Sequence, residues 1–216
     1  MNQTTITALF GGTFDPIHRG HLQAATALAT ELGLKSIHLL PNNIPPHKPQ
    51  PQATALQRLE MLALATKNLS LFTIDSRELA RPTPSYTIDT LIEWRAEQNP
   101  TNTLAFIIGE DSLYTLHNWY RWQELLNYCH LIVCRRLHKA NIHYPESLKF
   151  WLEQYTTQDV TLIRSKSAGY IYFAQTPIAN VSSTDIRNRL AKGKNCASML
   201  PKQVYNYIQE HNLYRK

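Results

Sequence analysis

The sequence GGTFDPIHRGH occupies residues 11–21 and joins an apolar run, Ile6 to Phe10, to a segment with helical spacing, Leu22 to Leu32. The apolar run predicts a buried strand and the spacing predicts an amphipathic helix, so the glycines fall on a strand-to-helix turn. Glycine lets backbone N–H groups approach a ligand closely because it has no Cβ. The helix should begin near His18, and the N–H groups and positive dipole end of a helix N-terminus favour anions. The turn therefore predicts a phosphate site.

Strand and helix signals alternate along the chain, which favours a parallel sheet covered by helices. The expected fold is α/β and Rossmann-like, with helices on both faces. The predicted strands are Ile6 to Phe10, Ser36 to Leu40, Phe72 to Asp75, Leu104 to Ile108, Leu131 to Cys134 and Tyr170 to Ala174. The predicted helices are Leu22 to Leu32, Ala55 to Asn68, Ile88 to Gln98, Trp122 to Asn127, Glu146 to Tyr155, Thr184 to Lys192 and Lys202 to His211.

The length of 216 residues suits a single domain with a sizeable core. We predict one domain over residues 1–216, made of an α/β nucleotide-binding core over 1–180 and a small C-terminal helical subdomain over 181–216. Residues 41–51 contain five prolines and must form a loop after the second strand. Ligands bind at that end of open parallel sheets, so this loop is expected to border a site.

Charge and cysteine content narrow the class of protein. The net charge of +6 suits a polyanionic ligand, although general solubility explains it as well. The three cysteines form no C-x-x-C pair, which indicates reduced thiols, and neither a signal peptide nor a membrane span is predicted. We expect a cytoplasmic protein. Because Lys and Arg are scattered, a nucleic-acid-binding module is the less favoured alternative, and no membrane partner is expected.

The sequence disfavours several other types of site. His18 and His21 are three residues apart, whereas the helical zinc-protease pattern needs a spacing of four with an intervening Glu. Cys129, His130 and Cys134 suggest a metal site, but a buried strand explains them better. The chain lacks the G-x-G-x-x-G, Walker A and G-x-S-x-G patterns, which disfavours a dehydrogenase, a P-loop enzyme and a serine hydrolase.

A second phosphate signal, SSTDIR, occupies residues 182–187 and precedes a helix that Gly193 would close. Simple N-capping by one hydroxyl is the alternative explanation. Three successive hydroxyls exceed what one cap requires, and Arg187 could offer a bidentate fork to phosphate oxygens.

These two motifs resemble the GGTFDPxHxGH and S-x-T-x-I-R signatures of the nucleotidylyltransferase superfamily. The chain as a whole is similar to bacterial nicotinate-nucleotide adenylyltransferases. The similarity extends, in the family's order, to PNNIPPHK (residues 41–48), PSYT (84–87), FIIGEDSL (106–113), the pair Trp119-Tyr120 and the strand from Leu131 to Arg136.

The resemblance implies adenylyl transfer from ATP to nicotinate mononucleotide, which yields nicotinate adenine dinucleotide and pyrophosphate in NAD biosynthesis. The mononucleotide phosphate would attack the α-phosphorus in line, without a covalent enzyme intermediate. Such chemistry needs alignment and charge neutralisation more than a protein nucleophile. Mg²⁺ is expected to accompany ATP, held by phosphate oxygens and water rather than by a protein metal site.

The resemblance also implies roles for individual residues. His18 and His21 would be catalytic, donating to the ATP phosphates and to the leaving pyrophosphate. The ATP-binding set would be Gly12, Thr13, Phe14, Gly109, Asp111, Ser182, Ser183, Thr184 and Arg187. The set that binds nicotinate mononucleotide would be Lys48, Ser85, Tyr86, Thr87, Trp119 and Tyr120, with Trp119 stacked on the pyridine ring and backbone N–H groups at Trp119 and Tyr120 on the carboxylate.

Some of these assignments have open alternatives. Asp15 could bind a metal or act as a base, but before Pro16 it more often caps a turn. Trp119 could be a core residue, and Lys48 could be a solvated loop lysine. Glu110 departs from the small residue or Gln common in the family, and we expect it to face outward. Phosphopantetheine adenylyltransferases and cytidylyltransferases are the rival activities within the superfamily.

Overall fold

The computed structural model describes residues 6–46, 49–135, 144–175 and 181–215, and within them seven strands form one parallel sheet. The strands are β1 (Thr7–Gly12), β2 (Ser36–Pro41), β3 (Phe72–Ile74), β4 (Leu104–Gly109), β5 (His130–Cys134), β6 (Thr156–Thr157) and β7 (Ile171–Ala174). Their order across the sheet is β3-β2-β1-β4-β5-β7-β6. All six predicted strands are present. The short β6 lies on the far edge and has no strong sequence signal.

Helices cover both faces of this sheet, as predicted. They are α1 (Arg19–Leu32), α2 (Ala55–Thr66), α3 (Thr87–Glu97), α4 (Glu110–Leu113), α5 (Glu146–Tyr155), α6 (Val160–Ser165), α7 (Ser183–Leu190) and α8 (Lys202–Glu210). Short 3-10 helices span Arg77–Ala80, Leu116–Asn118 and Trp122–Asn127. The last of these was expected as a helix of unspecified type. Helices α4 and α6 were not predicted, because each is too short to show a periodic pattern.

Two apolar clusters divide the core between the faces. Helices α1, α2, α6, α7 and α8 pack on one face with inward side chains such as Ala8, Ile37 and Ile107. Helices α3 and α5 pack on the other face with alternate residues of the same strands, such as Leu9 and Phe106. This alternation is the period of two that a strand buried on both sides requires.

The C-terminal helices α7 and α8 belong to the first of these clusters. Ile186, Leu190, Val204 and Ile208 are buried in the same apolar layer as α1 and α2. The boundary at residue 180 between a core and a helical part stays a prediction. In the described part of the chain, no helix combines the length and apolarity needed to cross a bilayer.

Capping residues mark the ends of three helices, and the predicted role of Gly193 after α7 is confirmed. Thr54 and Gln57 form a reciprocal capping box at the start of α2. Gly33 and Gly193 follow α1 and α7 with left-handed φ angles of 68° and 67°, which glycine adopts at little cost.

The segment from Cys129 to Cys134 is buried, and its last five residues form the predicted strand as β5. Cys129 is fully buried, and burial raises the pKa of its thiol to about 12. The buried His130 ring contacts the Lys166 carbonyl oxygen through Nε2 and accepts from the Tyr170 N–H through Nδ1. Burial is also the main reason that the pKa of His130 is lowered. The His130 ring thus links β5 to the segment between α6 and β7.

The strand order places the two glycine-containing strand ends side by side. Strands β1 and β4 are adjacent at the centre of the sheet, and the connections leave them toward opposite sides. Such a switch point opens a crevice at the carboxyl ends of the strands. Gly12 ends β1 and Gly109 ends β4, so the topology brings the GGTFDPIHRGH turn next to the FIIGEDSL segment.

Candidate active site

The first two glycines of the GGTFDPIHRGH turn lie close against aromatic rings. A Cβ added to Gly11 would lie 2.7 Å from the Phe106 ring, and one added to Gly12 would lie 3.0 Å from the Phe14 ring. Both distances are shorter than normal van der Waals contacts. Phe14 itself adopts a left-handed φ of 48°, which turns the chain sharply after β1. The turn is therefore packed tightly between β4 and its own aromatic residue.

His18 and His21 form a reciprocal capping box at the N-terminus of α1. His18 is the N-cap residue, and its Nδ1 accepts from the His21 N–H at 3.3 Å. The His18 N–H donates to His21 Nδ1 at the same distance. The rings stack with centroids 3.6 Å apart. Because both Nδ1 atoms accept hydrogen bonds, each neutral ring carries its proton on Nε2, where it can serve as a donor.

Asp15 anchors the turn, which favours the structural interpretation of this residue. It is 3% exposed, and its carboxylate accepts from the N–H groups of Gln52 and Ala53 at 2.9 and 3.1 Å. It also accepts from the Tyr214 hydroxyl at 2.7 Å. These contacts occupy both carboxylate oxygens with protein donors.

The SSTDIR motif joins the same turn from the other side. Ser182 is the N-cap of α7 and accepts from the Asp185 N–H, as the capping alternative expected. Ser183 donates to the Pro16 carbonyl oxygen at 3.0 Å. Arg187 donates to the Asp15 carbonyl oxygen at 2.7 Å and to Thr184 Oγ1 at 3.3 Å. The two motifs predicted to bind phosphates are thus in direct contact.

A cavity of about 630 Å³ opens over these motifs. Its lining includes the two residues expected to be catalytic, His18 and His21. It also includes most of the residues expected to bind ATP, namely Gly12, Thr13, Phe14, Gly109, Asp111, Ser183, Thr184 and Arg187. Ser182 lies beside this cavity as the helix cap and is not part of the lining. Arg135, at the end of β5, lines the cavity and was missed, because a single basic residue after a strand carries no distinctive signal.

A narrower cavity, about 100 Å³, adjoins the first. It is lined by the residues expected to bind the mononucleotide, namely Ser85, Tyr86, Thr87, Trp119 and Tyr120. Gly11, Gly12 and Ser112 line both cavities, so the two spaces meet at the end of β1. Lys48, the remaining predicted residue of this set, lies outside the described residues.

Helix α3 begins at the wall of the narrower cavity. Its N-cap residue, Tyr86, makes no capping hydrogen bond through its side chain within the described part of the chain. The first N–H groups of a helix have no partner inside the helix, so Thr87 presents an anion-binding N-terminus there. The N–H groups of Ser85 and Trp119 already donate to the Ile44 and Leu116 carbonyl oxygens. The Trp119 N–H therefore already has an acceptor, and the N-terminus of α3 offers better donors for an anionic ligand.

The aromatic side chains around this cavity differ in burial. Trp119 is half-buried, and the Tyr86 and Tyr120 rings contact each other with centroids 4.9 Å apart. Tyr120 is 52% exposed, which is high for so large a ring. This opening gives a flat ligand access to the face of Trp119.

Glu78 is a buried carboxyl group of the narrower cavity that sequence reasoning missed. It is 5% exposed and accepts from the Thr90 hydroxyl at 2.6 Å. Burial raises the pKa of Glu78, while hydrogen bonds from Thr90 and Ser85 oppose that shift. Ser85 Oγ in turn accepts from the Asn43 N–H at 3.0 Å. Glu78 thereby connects α3 to the loop after β2.

Glu110 is buried, and the expectation that it faces outward is wrong. It is 9% exposed, and its charge contributes to the raised pKa of Tyr114, which reaches about 12 mainly because of burial. The Tyr114 and Tyr144 rings lie close to each other, with centroids 5.7 Å apart. The short helix α4 causes the error, because it turns Glu110 inward and leaves its neighbour Asp111 exposed in the larger cavity.

Arg58 fixes the spacing between two segments. One is the GGTFDPIHRGH turn, residues 11–21, called the phosphate turn below, and the other is the proline-rich loop after β2. Its side chain is 1% exposed, and Nη1 donates to the carbonyl oxygens of Thr13 and Asn42 at 2.8 and 2.7 Å. Asn42 Nδ2 donates to Thr13 Oγ1 at 3.3 Å. One signal could have revealed this role. Arg58 interrupts the apolar face of α2, three residues before the buried Met61.

Replacing Arg58 by methionine is expected to lower the free energy of unfolding by ~2–4 kcal/mol, because two carbonyl groups lose their shared donor. Urea denaturation measures this loss. Arg189→Met is the matched control, since Arg189 pairs with Asp185 on the exposed side of α7. That control should cost less than about 1 kcal/mol. Equal losses in the two variants would contradict the assigned role of Arg58.

The chain is similar to known proteins over nearly its whole length. Residues 9–189 match the family model described as cytidylyltransferase-like. A probable nicotinate-nucleotide adenylyltransferase of Serratia proteamaculans is 52% identical over 213 residues, which cover 98% of this chain and 96% of that protein. One of Pectobacterium atrosepticum is 50% identical over 212 residues, covering 98% and 99% of the two chains.

Solved structures show the same fold at lower identity. The nicotinic acid mononucleotide adenylyltransferase of Plasmodium falciparum, complexed with NaAD, has a TM-score of 0.71 and 18% identity over 97% of both chains. A putative nicotinate-nucleotide adenylyltransferase of Vibrio parahaemolyticus has a TM-score of 0.63 and 19% identity, over 98% of this chain and 96% of that one. Since relatives at half identity or more span nearly the whole sequence, the chain belongs to the nicotinate-nucleotide adenylyltransferase family.

Proposed function

We propose that the larger cavity binds ATP and the narrower cavity binds nicotinate mononucleotide, so that the reacting groups meet at the end of β1. As a member of its family, the protein transfers the adenylyl group of ATP to nicotinate mononucleotide, giving nicotinate adenine dinucleotide and pyrophosphate. The observation that carries the proposal is the shared wall of Gly11, Gly12 and Ser112 between the cavities. A substrate phosphate in one cavity can reach the α-phosphorus of ATP in the other through this opening.

The reaction itself is an in-line displacement. A phosphate oxygen of the mononucleotide forms a bond to the α-phosphorus, and the bond from that phosphorus to the β-phosphate bridging oxygen breaks. Pyrophosphate leaves with the electron pair, and no covalent bond to the protein forms. Alignment of the two substrates and stabilisation of the leaving charge supply the catalysis.

The histidine pair would stabilise the charge that develops on pyrophosphate. Both rings accept at Nδ1, so both Nε2–H groups are donors, and stacking fixes their orientation before substrate binds. Donors fixed in this way need no reorganisation during the reaction. The N-terminus of α1 adds its positive dipole end at the same place.

The remaining ATP contacts would come from three segments. Gly12, Thr13 and Phe14 would contact the phosphates beside the turn, and Gly109 and Asp111 at the end of β4 would hold the ribose. Ser183, Thr184 and Arg187 would hold the outer phosphates, with Ser182 fixing the start of α7. The Arg187 guanidinium already bridges Asp15 and Thr184, so it is oriented before phosphate arrives.

The nicotinate ring would stack on Trp119, next to the Tyr86 and Tyr120 rings. Its carboxylate would lie at the N-terminus of α3, where the Thr87 N–H and hydroxyl are donors, with Ser85, Tyr86 and the Tyr120 N–H nearby. An amide would place an NH₂ group against those donors, which disfavours the nicotinamide form. Lys48 remains a candidate partner for the mononucleotide phosphate.

Mg²⁺ would enter with ATP and neutralise phosphate charge. Within the described residues, no group of three or more His, Cys, Asp or Glu side chains is placed to hold a metal ion. The phosphate oxygens and water that Mg²⁺ prefers would therefore make up most of its coordination shell.

A coupled assay of pyrophosphate release tests the proposed function. The purified protein is supplied with ATP and Mg²⁺, and with nicotinate mononucleotide, nicotinamide mononucleotide or phosphopantetheine as acceptor. Of the three acceptors, we expect only nicotinate mononucleotide to give rapid release of pyrophosphate. Preferred turnover of phosphopantetheine would contradict the proposal and favour the rival activity.

A further inference from the structure

Tyr214 places a hydroxyl group beneath the phosphate turn from the far end of the chain. Its ring is 8% exposed, and its hydroxyl donates to Asp15 Oδ1 at 2.7 Å across 199 residues of sequence. Asn212 and Tyr214 have left-handed φ angles of 50° and 63°. Asparagine tolerates this conformation but it is unfavourable for tyrosine, so contacts made by Tyr214 must hold it in place.

Asp15 also contacts two parts of the wall of the larger cavity. The oxygen that accepts from Tyr214 also accepts from the Ala53 N–H, and the other oxygen accepts from the Gln52 N–H. Arg187 Nη1 lies 3.8 Å from Asp15 Oδ2 and donates to the Asp15 carbonyl oxygen. Gln52 and Arg187 line the larger cavity, whereas Tyr214 does not. A change at Tyr214 therefore reaches the cavity through Asp15.

The tyrosine is a stable donor in this position. Burial and the adjacent Asp15 charge raise the pKa of the Tyr214 hydroxyl above its ordinary value, so the group keeps its proton throughout the neutral range. The Asp15 carboxylate is itself buried, and a buried carboxylate depends on such donors for its orientation.

We propose that Tyr214 is a positioning residue of the ATP site, which acts by holding the Asp15 carboxylate and, through it, the Gln52–Ala53 segment and Arg187. The assignment of ATP to this cavity rests on the proposed function. The hydrogen bonds that link Tyr214 to the cavity wall do not depend on it.

Tyr214→Phe tests the proposal because it removes the hydroxyl and keeps the ring. We expect the KM for ATP to rise roughly tenfold, the size typical for loss of a hydrogen bond to a charged group, with a smaller change in the KM for nicotinate mononucleotide. Tyr207→Phe is the matched control, since it removes a tyrosine-to-carboxylate hydrogen bond from α8 to Glu60, outside the site. An unchanged KM for ATP in folded Tyr214→Phe, or an equal rise in the control, would overturn the proposal.

Hydrogen exchange provides readouts that do not need turnover. The Gln52 and Ala53 amides should exchange faster in Tyr214→Phe than in Tyr207→Phe. In the wild-type protein, saturation with α,β-methylene-ATP should slow exchange of the Leu213–Arg215 amides, because coupling between two sites is reciprocal. Absence of that protection when the analogue is bound would overturn the proposal even if Tyr214→Phe does not fold. If the wild-type protein binds the analogue but lacks the transferase activity, the proposed function fails separately.

Discussion

Replacing His18 by alanine is expected to lower the turnover number by about 100-fold or more, because an aligned Nε2–H donor to the leaving pyrophosphate is lost. The same change removes the N-cap of α1, at a cost of ~1 kcal/mol of stability. Stopped-flow measurement of pyrophosphate release at saturating substrates gives the turnover number. Urea denaturation of the same samples gives the stability.

His18→Asn separates these two effects. Asparagine is a good N-cap residue, so it should restore the hydrogen bond to the His21 N–H and most of the lost stability. Its amide is shorter than imidazole and cannot place a donor where Nε2 lies, so turnover should stay as low as in His18→Ala. A folded His18→Asn protein with near-normal turnover would refute the catalytic role.

Thr87→Pro is expected to reduce the preference for the acid substrate. In the wild-type protein, kcat/KM for nicotinate mononucleotide should exceed that for the nicotinamide form by about 100-fold or more, as donors aimed at a carboxylate reject an amide. Proline at the first position of α3 deletes both donors of Thr87, the N–H and the hydroxyl, and is compatible with helix geometry there. Tyr86 has φ −76° and ψ 125°, the extended conformation that a residue before proline adopts. The preference should fall by roughly tenfold.

Thr87→Ser is the control for this experiment, because it keeps both the N–H and the hydroxyl. Its preference for the acid should match that of the wild-type protein. If Thr87→Pro retains the full preference while remaining folded, the carboxylate does not lie at the N-terminus of α3.

The sequence predicted the parts of the fold and site that depend on local patterns. Apolar runs identified the central strands, and the glycine turn located the start of α1 near His18. The structure adds that β1 and β4 are adjacent, so the motifs that follow them meet at the carboxyl edge of the sheet. Apart from Ser182 and Lys48, the residues assigned to ATP and to the mononucleotide line two cavities that share a wall.

The missed residues act through contacts that no local pattern encodes. Tyr214 reaches Asp15 across nearly the whole chain, and Glu78 connects α3 to a loop through hydroxyl groups. Glu110 was misplaced because its direction depends on α4, a helix of one turn. Of these residues, only Arg58 has a signal in the sequence, because it places a charge on the apolar face of α2. Whether a polar side chain is buried depends on the folded chain. The spacing of residues in the sequence does not show which distant group it will contact.

The contact between Gly11 and the Phe106 ring limits how the phosphate turn can be transplanted. The Phe106 ring of β4 occupies the space that a side chain at position 11 would fill. The residues at positions 11 and 106 therefore have to be chosen together. Grafting residues 11–21 onto another parallel sheet would require a ring of the same size on the neighbouring strand. Without that ring, the graft would keep all the ligand-binding residues of the turn itself but leave a void beneath them.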